Sequence, residues 1–258
     1  MDLRLNSKLF IITGGSSGLG KGVATALLNE GAIVIVVARD NKKLKAFQEK
    51  HPGQIEVLAG DITRDKTIEK LHKILRNRYL SGLVINAGGP PANSFIETDM
   101  DEWDEAYRNI LRWKVKITKV FLPIFLNQKY GRILYIESSS VKQPVQNLVL
   151  SNSLRLAVVG FAKTLSQEIA GKHITANILA PGFHETPAAE RLFVKRSETE
   201  RISLANAKKR FESEIAVGKM GNPENLGSLA TWLLSEQSEY ITGQTISVDG
   251  GMIKGIMG

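Results

Sequence analysis

The segment Leu9–Gly20 reads LFIITGGSSGLG and predicts a strand, a tight turn and the start of a helix. The apolar run Leu9–Ile12 is typical of a buried strand. A strand, a glycine turn and a helix N-terminus aim backbone N–H groups and the helix dipole at one point, where a pyrophosphate can bind. Glycine is needed there because a side chain would block close approach. We therefore predict a nucleotide-binding turn, with contacts from Thr13, Gly14, Ser16, Ser17, Gly18, Leu19 and Gly20.

Short apolar runs alternate with amphipathic helical patterns along the rest of the chain. This alternation indicates βαβ units, and uniformly apolar strands indicate a sheet covered on both faces. The predicted strands are Leu9–Ile12, Ile33–Val37, Ile55–Leu58, Leu83–Ile85, Ile133–Ile136, Thr175–Leu179 and Thr245–Val248. The predicted helices are Gly18–Asn29, Lys42–Lys50, Lys66–Arg76, Asp101–Leu126, Ser151–Ala170 and Pro223–Ser235. The fold class is therefore α/β, a Rossmann-type doubly wound parallel sheet with helices on both faces.

The domain organisation is expected to be simple. Residues 1–258 contain no Pro/Ser/Gly-rich linker, so we predict a single dinucleotide-binding domain. One stretch, 184–217, is polar and charged and contains no predicted strand. It is either a substrate lid beside the ligand crevice or a helical excursion on the surface.

Composition narrows the class of protein. The chain has 34 Lys and Arg against 26 Asp and Glu, a net charge of +8, and no cysteine. Its basic residues are interleaved with acids on amphipathic helices, which favours solvated faces over a nucleic-acid interface. The lack of cysteine excludes disulfides and thiolate zinc sites, and we predict no metal site. The longest apolar run, Ala32–Ala38, is too short to cross a bilayer, so we expect a soluble cytoplasmic protein without membrane or nucleic-acid partners.

The end of the second predicted strand bears on cofactor choice. Arg39 lies roughly twenty residues beyond the glycine turn, where such folds place the residue that contacts the adenosine ribose. An acid there would bind a free 2′-hydroxyl and repel a 2′-phosphate, whereas an arginine does the opposite. We therefore predict NADP(H) in preference to NAD(H), although the neighbouring Asp40 could compete for the same ribose.

Several further motifs occur in a characteristic order. They are TGxxxGxG at 13–20, Asp61-Ile62 after the third predicted strand, Asn86-Ala87-Gly88 after the fourth, Asn177–Gly182 followed by Thr186, and ITGQTISVDGG at 241–251. In these motifs the chain resembles the short-chain dehydrogenase/reductase family over essentially its whole length. Within that family it looks most like the 3-oxoacyl-carrier-protein reductase group.

The resemblance implies a reaction and a set of cofactor contacts. Hydride would pass between a nicotinamide and a carbonyl carbon, while a tyrosine handles the proton at oxygen, a lysine lowers the pKa of that tyrosine and a serine orients the carbonyl. The cofactor contacts that it implies are Asp61 and Ile62 at the adenine, Asn86, Ala87 and Gly88 along the cofactor, and Pro181, Gly182 and Thr186 at the nicotinamide carboxamide.

The chain departs from the family at the catalytic positions. Counted from Ser138 with the family's spacing, the tyrosine position holds Ser151 and the lysine position holds Arg155. The resemblance also implies an asparagine that supports a proton-relay water. Its position falls at about Ile110, with Asn109 one residue out of phase. A serine hydroxyl is far less acidic than a phenol, and arginine cannot transfer a proton. Because residues four apart share a helix face, we expect Ser151 and Arg155 to look toward the cofactor crevice, where Arg155 could bind the nicotinamide ribose.

The serine that orients the carbonyl in the family has more than one candidate in this sequence. Ser138, Ser139 and Ser140 follow one another; the family's spacing favours Ser138, whereas the following valine favours Ser140. We take Ser138, Ser151 and Arg155 as the candidate catalytic residues.

A replacement proton donor must come from elsewhere in the site. The candidates are His184, Glu137, Lys142 or a water held by the serines. Glu137, at the end of its strand, should point to the opposite face from the serines. No tyrosine lies between Tyr135 and Tyr240, and both are expected to lie far from the helix that carries Ser151.

Three functional hypotheses remain. The first is a divergent NADP(H)-dependent oxidoreductase acting on a carbonyl or alcohol, including 3-oxoacyl thioesters, with an unusual proton donor. The second is a catalytically degenerate NADP(H)-binding sensor or partner subunit, and the third is a non-redox enzyme on the same scaffold. The resemblance also implies a homodimer or homotetramer assembled through the helices Asp101–Leu126 and Ser151–Ala170.

Overall fold

A seven-stranded sheet forms the centre of the computed structural model, which describes residues 1–256. Its strand order is β3-β2-β1-β4-β5-β6-β7, and every neighbouring pair is parallel. The strands are β1 (Leu9–Thr13), β2 (Ile33–Ala38), β3 (Ile55–Ala59), β4 (Gly82–Ile85), β5 (Gly131–Ile136), β6 (Ile174–Pro181) and β7 (Thr245–Val248). The predicted fold class is confirmed, and each predicted strand is present.

Helices cover both faces of this sheet. They are α1 (Gly18–Asn29), α2 (Asn41–Glu49), α3 (Asp65–Leu75), α4 (Met100–Ala106), α5 (Trp113–Gln128), α6 (Val149–Ile169), α7 (Pro187–Glu200), α8 (Leu204–Ser213) and α9 (Pro223–Leu233). The apolar sides of α3, α5 and α6 pack on one face of the sheet. Those of α1, α2 and α9 pack on the other face. Because apolar side chains are buried on both faces, the strands are almost uniformly apolar.

The chain reverses its winding direction at β1, which pairs with β2 on one side and with β4 on the other. In such sheets the ligand crevice lies beyond the carboxyl ends of the strands at this point. All strands are parallel, so the loops that follow β1, β4, β5 and β6 meet at the same edge. Most of the predicted site residues belong to these loops or to the ends of the strands and helices that the loops join.

Two regions differ from the predicted helices. The expected single helix Asp101–Leu126 is α4 and α5 joined by a π-helical segment, Tyr107–Arg112. The irregular segment 184–217 holds α7 and α8, which share a small apolar cluster that includes Phe193 and Ala207. Within residues 1–256, no helix combines the length and the hydropathy needed to cross a bilayer.

Candidate functional site

The glycine turn leads directly into α1. Within the described residues, the side chain of Ser17 forms no capping hydrogen bond at the start of this helix, so the first-turn N–H groups are left for a ligand. Gly20 packs against the turn itself: an added Cβ would collide with the Gly14 carbonyl and would lie 2.8 Å from Asn86 Nδ2. Glycine is therefore required for the turn to close against the loop after β4.

Thr13 and Asn86 hold that loop in place. The Thr13 hydroxyl donates to the Asn86 carbonyl at 2.8 Å and accepts from the Asn86 N–H at 2.8 Å. Asn86 Nδ2 donates to the Gly14 carbonyl at 3.3 Å. Thr13 is fully buried, so it supports the turn from behind. Ala87 and Gly88 continue the loop along the crevice.

The predicted ribose region lies beyond β2. Arg39 is exposed, whereas Asp40 caps α2 by accepting a hydrogen bond from the Lys43 N–H at 3.0 Å. The Asp40 carboxylate therefore already has a structural role. Next to it, a groove of about 350 Å³ is lined by Ser16, Ser17, Gly18, Lys21, Lys43, Ala46, Phe47 and Lys50. These lysines add positive charge on the side where a 2′-phosphate was predicted.

The predicted adenine residues follow β3. Asp61 accepts hydrogen bonds from the Thr63 N–H at 3.0 Å and from the Thr63 hydroxyl at 2.8 Å. This turn fixes the carboxylate, while Ile62 is buried in the core below it.

The predicted nicotinamide segment lies between β6 and α7. Pro181 ends β6, and the Gly182 N–H donates to the Val248 carbonyl at 3.0 Å. Thr186 caps α7, and its side chain lies 3.4 Å from where a Cβ on Gly18 would be. The segment is thus brought against the start of α1, on the crevice side of the sheet.

His184 is an unpromising proton donor in this segment. Its ring is buried against Gly221, and its Nδ1 lies 3.1 Å from the Gly182 carbonyl. Burial lowers the pKa of His184, with the Gly182 carbonyl opposing that shift. The imidazole is therefore held largely neutral at pH 7, which does not suit a general acid.

Accessibility distinguishes the serines after β5. Ser139 and Ser140 are buried, whereas Ser138 is partly exposed. The Ser138 hydroxyl also accepts from the Ser140 N–H at 3.1 Å, which fixes its position at the sheet edge. Lys142 lies just beyond the 3-10 turn formed by Ser139–Val141.

Ser151 and Arg155 lie side by side on one face of α6, and both are buried. Arg155 Nε donates to Ser151 Oγ at 3.0 Å. The guanidinium also reaches the loop after β4, where a Cβ on Gly89 would lie only 3.2 Å from Arg155 Nη2. Because residue 89 is glycine, the guanidinium of Arg155 can approach the loop after β4.

Glu137 anchors this guanidinium from below. Arg155 Nη1 donates to the Glu137 carbonyl at 3.1 Å and to its carboxylate oxygen Oε2 at 3.0 Å. The sequence predicted only that Glu137 points to the face opposite the adjacent serines, and it did not predict this contact with Arg155, the hydrogen-bond partner of Ser151. β5 is buried along its whole length, and side chains of both α5 and α6 contact Glu137 just beyond its end.

Lys114, on the first turn of α5, belongs to the site although its role was not predicted from the sequence. Its ammonium pairs with Glu137 Oε1, and the side chain is only 3% exposed. Burial lowers the pKa of Lys114 to about 8; nearby Arg155 adds to the shift, and Glu137 opposes it. The sequence did carry a signal, since an acid that ends an apolar strand needs a buried cation as partner.

Two further residues correct or complete the sequence account. Tyr135 does contact α6, because its ring packs edge-to-face on Phe161 at 6.1 Å, so the expectation that it would lie far from that helix was wrong. It is fully buried and hydrogen-bonded to the Thr118 hydroxyl at 2.8 Å, and burial raises its pKa. Ile110, at the family's asparagine position, is buried against Ala106 and Leu150. Among residues 1–256, there is no cluster of three or more His, Asp or Glu suited to a metal ion.

Comparison with known proteins accords with this geometry. The family model described as Enoyl-(Acyl carrier protein) reductase matches residues 14–253. The 3-oxoacyl-[acyl-carrier-protein] reductase FabG of Thermotoga maritima is 32% identical over 97% of this chain and 100% of its own length.

Solved structures are similar over almost the whole chain. L-sorbose reductase from Gluconobacter frateurii, complexed with NADPH and L-sorbose, has a TM-score of 0.92 at 25% identity, covering 99% of this chain and 100% of that one. A variant of actinorhodin polyketide ketoreductase with NADPH has a TM-score of 0.90 at 28% identity, covering 95% and 97%. The family match, the relative and the shared fold together place this chain in the short-chain dehydrogenase/reductase family.

Proposed function

We propose that the protein is an NADP(H)-dependent oxidoreductase that interconverts a carbonyl and an alcohol, with 3-oxoacyl thioesters as the first substrate class to test. The observation that carries this proposal is the contact between Arg155 and Ser151, 3.0 Å apart, beside Gly89 at the end of the cofactor loop. Counted with the family's spacing, this hydroxyl and this cation stand at the positions of the family's tyrosine and lysine. The relatives named for such reductions support the substrate class.

The residues present fit the cofactor. The close approach of Gly14 and Gly20, which an added Cβ would prevent, leaves the uncapped start of α1 open to a pyrophosphate. Arg39, with Lys43 nearby, would hold the 2′-phosphate; Asp61 would lie at the adenine, and Thr186 near the nicotinamide carboxamide. When bound, NADPH supplies a hydride to the substrate carbon.

The chain's own residues would handle the carbonyl oxygen. Ser138 orients it by a hydrogen bond. The Ser151 hydroxyl gives its proton to the oxygen as negative charge develops there, and the adjacent guanidinium of Arg155 stabilises the serine oxygen that is left. Solvent water then returns a proton to Ser151. Arg155 itself keeps its protons throughout.

The test is NADPH oxidation with a panel of 3-oxoacyl thioesters and simple activated ketones. We expect turnover by the wild type and a loss of roughly a hundredfold or more in kcat for Ser151→Ala, in the range of a lost general acid. A Ser151→Tyr/Arg155→Lys variant restores the family pair and serves as the positive control. Ser153→Ala, on the same helix, serves as the matched control. Turnover by Ser151→Tyr/Arg155→Lys alone would contradict the proposal.

The second candidate is a protein that binds NADP(H) without turning over. The observation that favours it is Ile110, a buried apolar side chain at about the position where the family's spacing places its asparagine. In that case NADPH quenches tryptophan fluorescence, but no substrate on the panel is reduced.

We also propose a homodimer or homotetramer in the cytoplasm, assembled through α4, α5 and α6. Large apolar side chains are exposed on these helices, at Met100, Leu126 and Leu156. Light scattering coupled to size-exclusion chromatography would measure the subunit number, with a monomer as the contradicting result.

A further inference from the structure

Ion pairs and hydrogen bonds link Lys114 to Ser151 through two other buried side chains. Lys114 on α5 pairs with one carboxylate oxygen of Glu137, and Arg155 on α6 donates to the other at 3.0 Å. Arg155 then donates to Ser151 Oγ at 3.0 Å. Four side chains from three elements are thus linked, and all of them are buried.

The charges of these four linked side chains do not cancel. With Lys114 protonated, two cations face one carboxylate, which leaves one net positive charge in a region screened from water. Burying an unbalanced charge is costly. Arginine retains its charge, so the group that can change the balance is Lys114. Losing its proton makes the cluster neutral.

The surroundings of Lys114 hold few other charged or titratable groups. On its own helix, the Trp113 indole lies 5.9 Å from the ammonium, and the Thr118 hydroxyl bonds to the Lys114 carbonyl. Tyr135 of β5 is linked to Lys114 through Thr118, and Glu137 follows directly after that strand. From α6 comes Arg155, whose positive charge acts on Lys114.

We propose that Lys114 is a positioning residue: its protonation state, transmitted through Glu137 and Arg155, controls whether Ser151 can give its proton to the substrate oxygen. This inference rests on the proposed reductase function and adds a regulatory group to the same site. Lys114 does not touch the substrate, since its side chain is enclosed behind Glu137.

The physical basis is the charge beside Ser151 during reduction. The O–H bond of Ser151 breaks, an O–H bond forms on the product, and a negative oxygen remains next to Arg155 until water reprotonates it. A protonated Lys114 offsets the Glu137 carboxylate, so the positive charge of Arg155 acts on that oxygen. A neutral Lys114 leaves Glu137 to cancel Arg155. Because the pKa of Lys114 is about 8, activity should fall as the pH rises through that value.

The first test is the pH profile of kcat, measured from pH 6 to 10 with saturating NADPH. We expect the wild type to lose activity above a midpoint near pH 8. Lys114→Met should not show this alkaline limb, the loss of activity above pH 8. Its kcat should be lower by roughly tenfold or more at pH 7, with KM changed little. Lys119→Met, on the exposed face of the same helix, should behave as the wild type does.

A second measurement keeps Lys114 in place and so does not depend on how Lys114→Met folds. In a Trp103→Phe/Trp232→Phe background, emission from Trp113 reports the adjacent ammonium. We expect its intensity to change with a midpoint near pH 8, and Glu137→Gln to move that midpoint downward because the attracting carboxylate is gone.

The outcomes separate the two proposals. A Trp113 emission that is constant from pH 6.5 to 9.5, or a Lys114→Met variant that keeps the alkaline limb and the wild-type rate, overturns the role of Lys114 alone. A wild type that reduces no substrate at any pH overturns the proposed function and this inference with it. An alkaline limb that disappears in Lys114→Met, together with the shifted midpoint in Glu137→Gln, supports both.

Discussion

Arg155 can be buried because its guanidinium meets polar atoms in several directions. Its contacts are the Ser151 hydroxyl, the Glu137 carboxylate and the Glu137 carbonyl. Charge-assisted hydrogen bonds of this kind are roughly twice as strong as neutral ones. The geometry also explains why lysine would not be equivalent here: a single ammonium could not hold the hydroxyl and both acceptors on Glu137 in one plane.

Removing the carboxylate from this cluster should be severely destabilising. Glu137→Leu leaves Lys114 and Arg155 as buried cations without their partner, so we expect the free energy of unfolding to fall by about 3–5 kcal/mol at pH 7. Urea unfolding measures it. Glu56→Gln is the control, because it breaks an ion pair with Arg78 in which the side chains are 44% and 37% exposed; its cost should stay below about 1 kcal/mol. Equal losses in the two variants would contradict the account.

Lys114 should also make stability depend on pH. Burial lowers its pKa to about 8, whereas an unfolded lysine titrates near ~10.4. Between these values the unfolded chain binds more protons at this residue, so its contribution to the free energy of unfolding rises with pH. The difference in stability between wild type and Lys114→Met should therefore shift by roughly 2.4 kcal/mol in favour of the wild type from pH ~8 to ~10.4. Urea unfolding at several pH values checks this, and a constant difference would count against it.

We expect Arg39, the side chain that follows β2, to decide the preference between NADPH and NADH. Arg39→Asp should weaken NADPH binding by roughly tenfold or more and strengthen NADH binding, because a carboxylate repels a 2′-phosphate and accepts hydrogen bonds from a 2′-hydroxyl. Fluorescence titration gives both dissociation constants. Lys42→Met, an exposed neighbour, should leave the preference unchanged. A variant that keeps its preference for NADPH would remove Arg39 from the ribose site.

Between β4 and β5, a π-helical segment separates α4 from α5, where the sequence predicts one helix. The sequence predicted one helix over Asp101–Leu126, since apolar residues recur with helical spacing. The π-helical segment Tyr107–Arg112 inserts a wider turn, which changes which residues of α4 and α5 share a face. Ile110 is thereby packed toward Leu150 of α6, and Lys114 faces Glu137. Spacing alone could not place Lys114, because the pattern assumes a uniform period.

The helices α7 and α8 depend on a small aromatic cluster of their own. Phe211 contacts Phe183 at 4.7 Å and Phe193 at 5.2 Å, and the Arg196 guanidinium lies 4.2 Å from its ring. Phe211→Ala should loosen residues 187–213 while leaving the sheet intact, because this cluster is separate from the two large cores.

Hydrogen exchange measures that effect. Amides in α7 and α8 should exchange faster in Phe211→Ala, with those in β1 and β4 unchanged. Val194→Ala, which truncates an exposed side chain on α7, should exchange as the wild type does. Faster exchange throughout the sheet would contradict the separation of the clusters.

The fold of the chain could be predicted because its strand, turn and helix patterns all indicate the same architecture. Apolar strands, glycine turns and amphipathic helices repeat in one order, and the positions of the cofactor motifs follow from it. The cluster behind Arg155 could not be predicted, since it joins Lys114, Glu137 and Ser151 from three separate elements. Only the packing of α5 and α6 over the end of β5 brings those charges together.

A direct measurement is the transfer of deuterium from NADPH carrying deuterium at both positions of the nicotinamide C4 to a 3-oxoacyl thioester, followed by mass spectrometry of the product. We expect one deuterium on the former carbonyl carbon for each NADPH oxidised by the wild type, and a rate greatly reduced in Ser151→Ala. Bound NADPH without deuterium in any product, under conditions where Ser151→Tyr/Arg155→Lys does transfer it, would contradict the claim that Ser151 and Arg155 form a working reductase site.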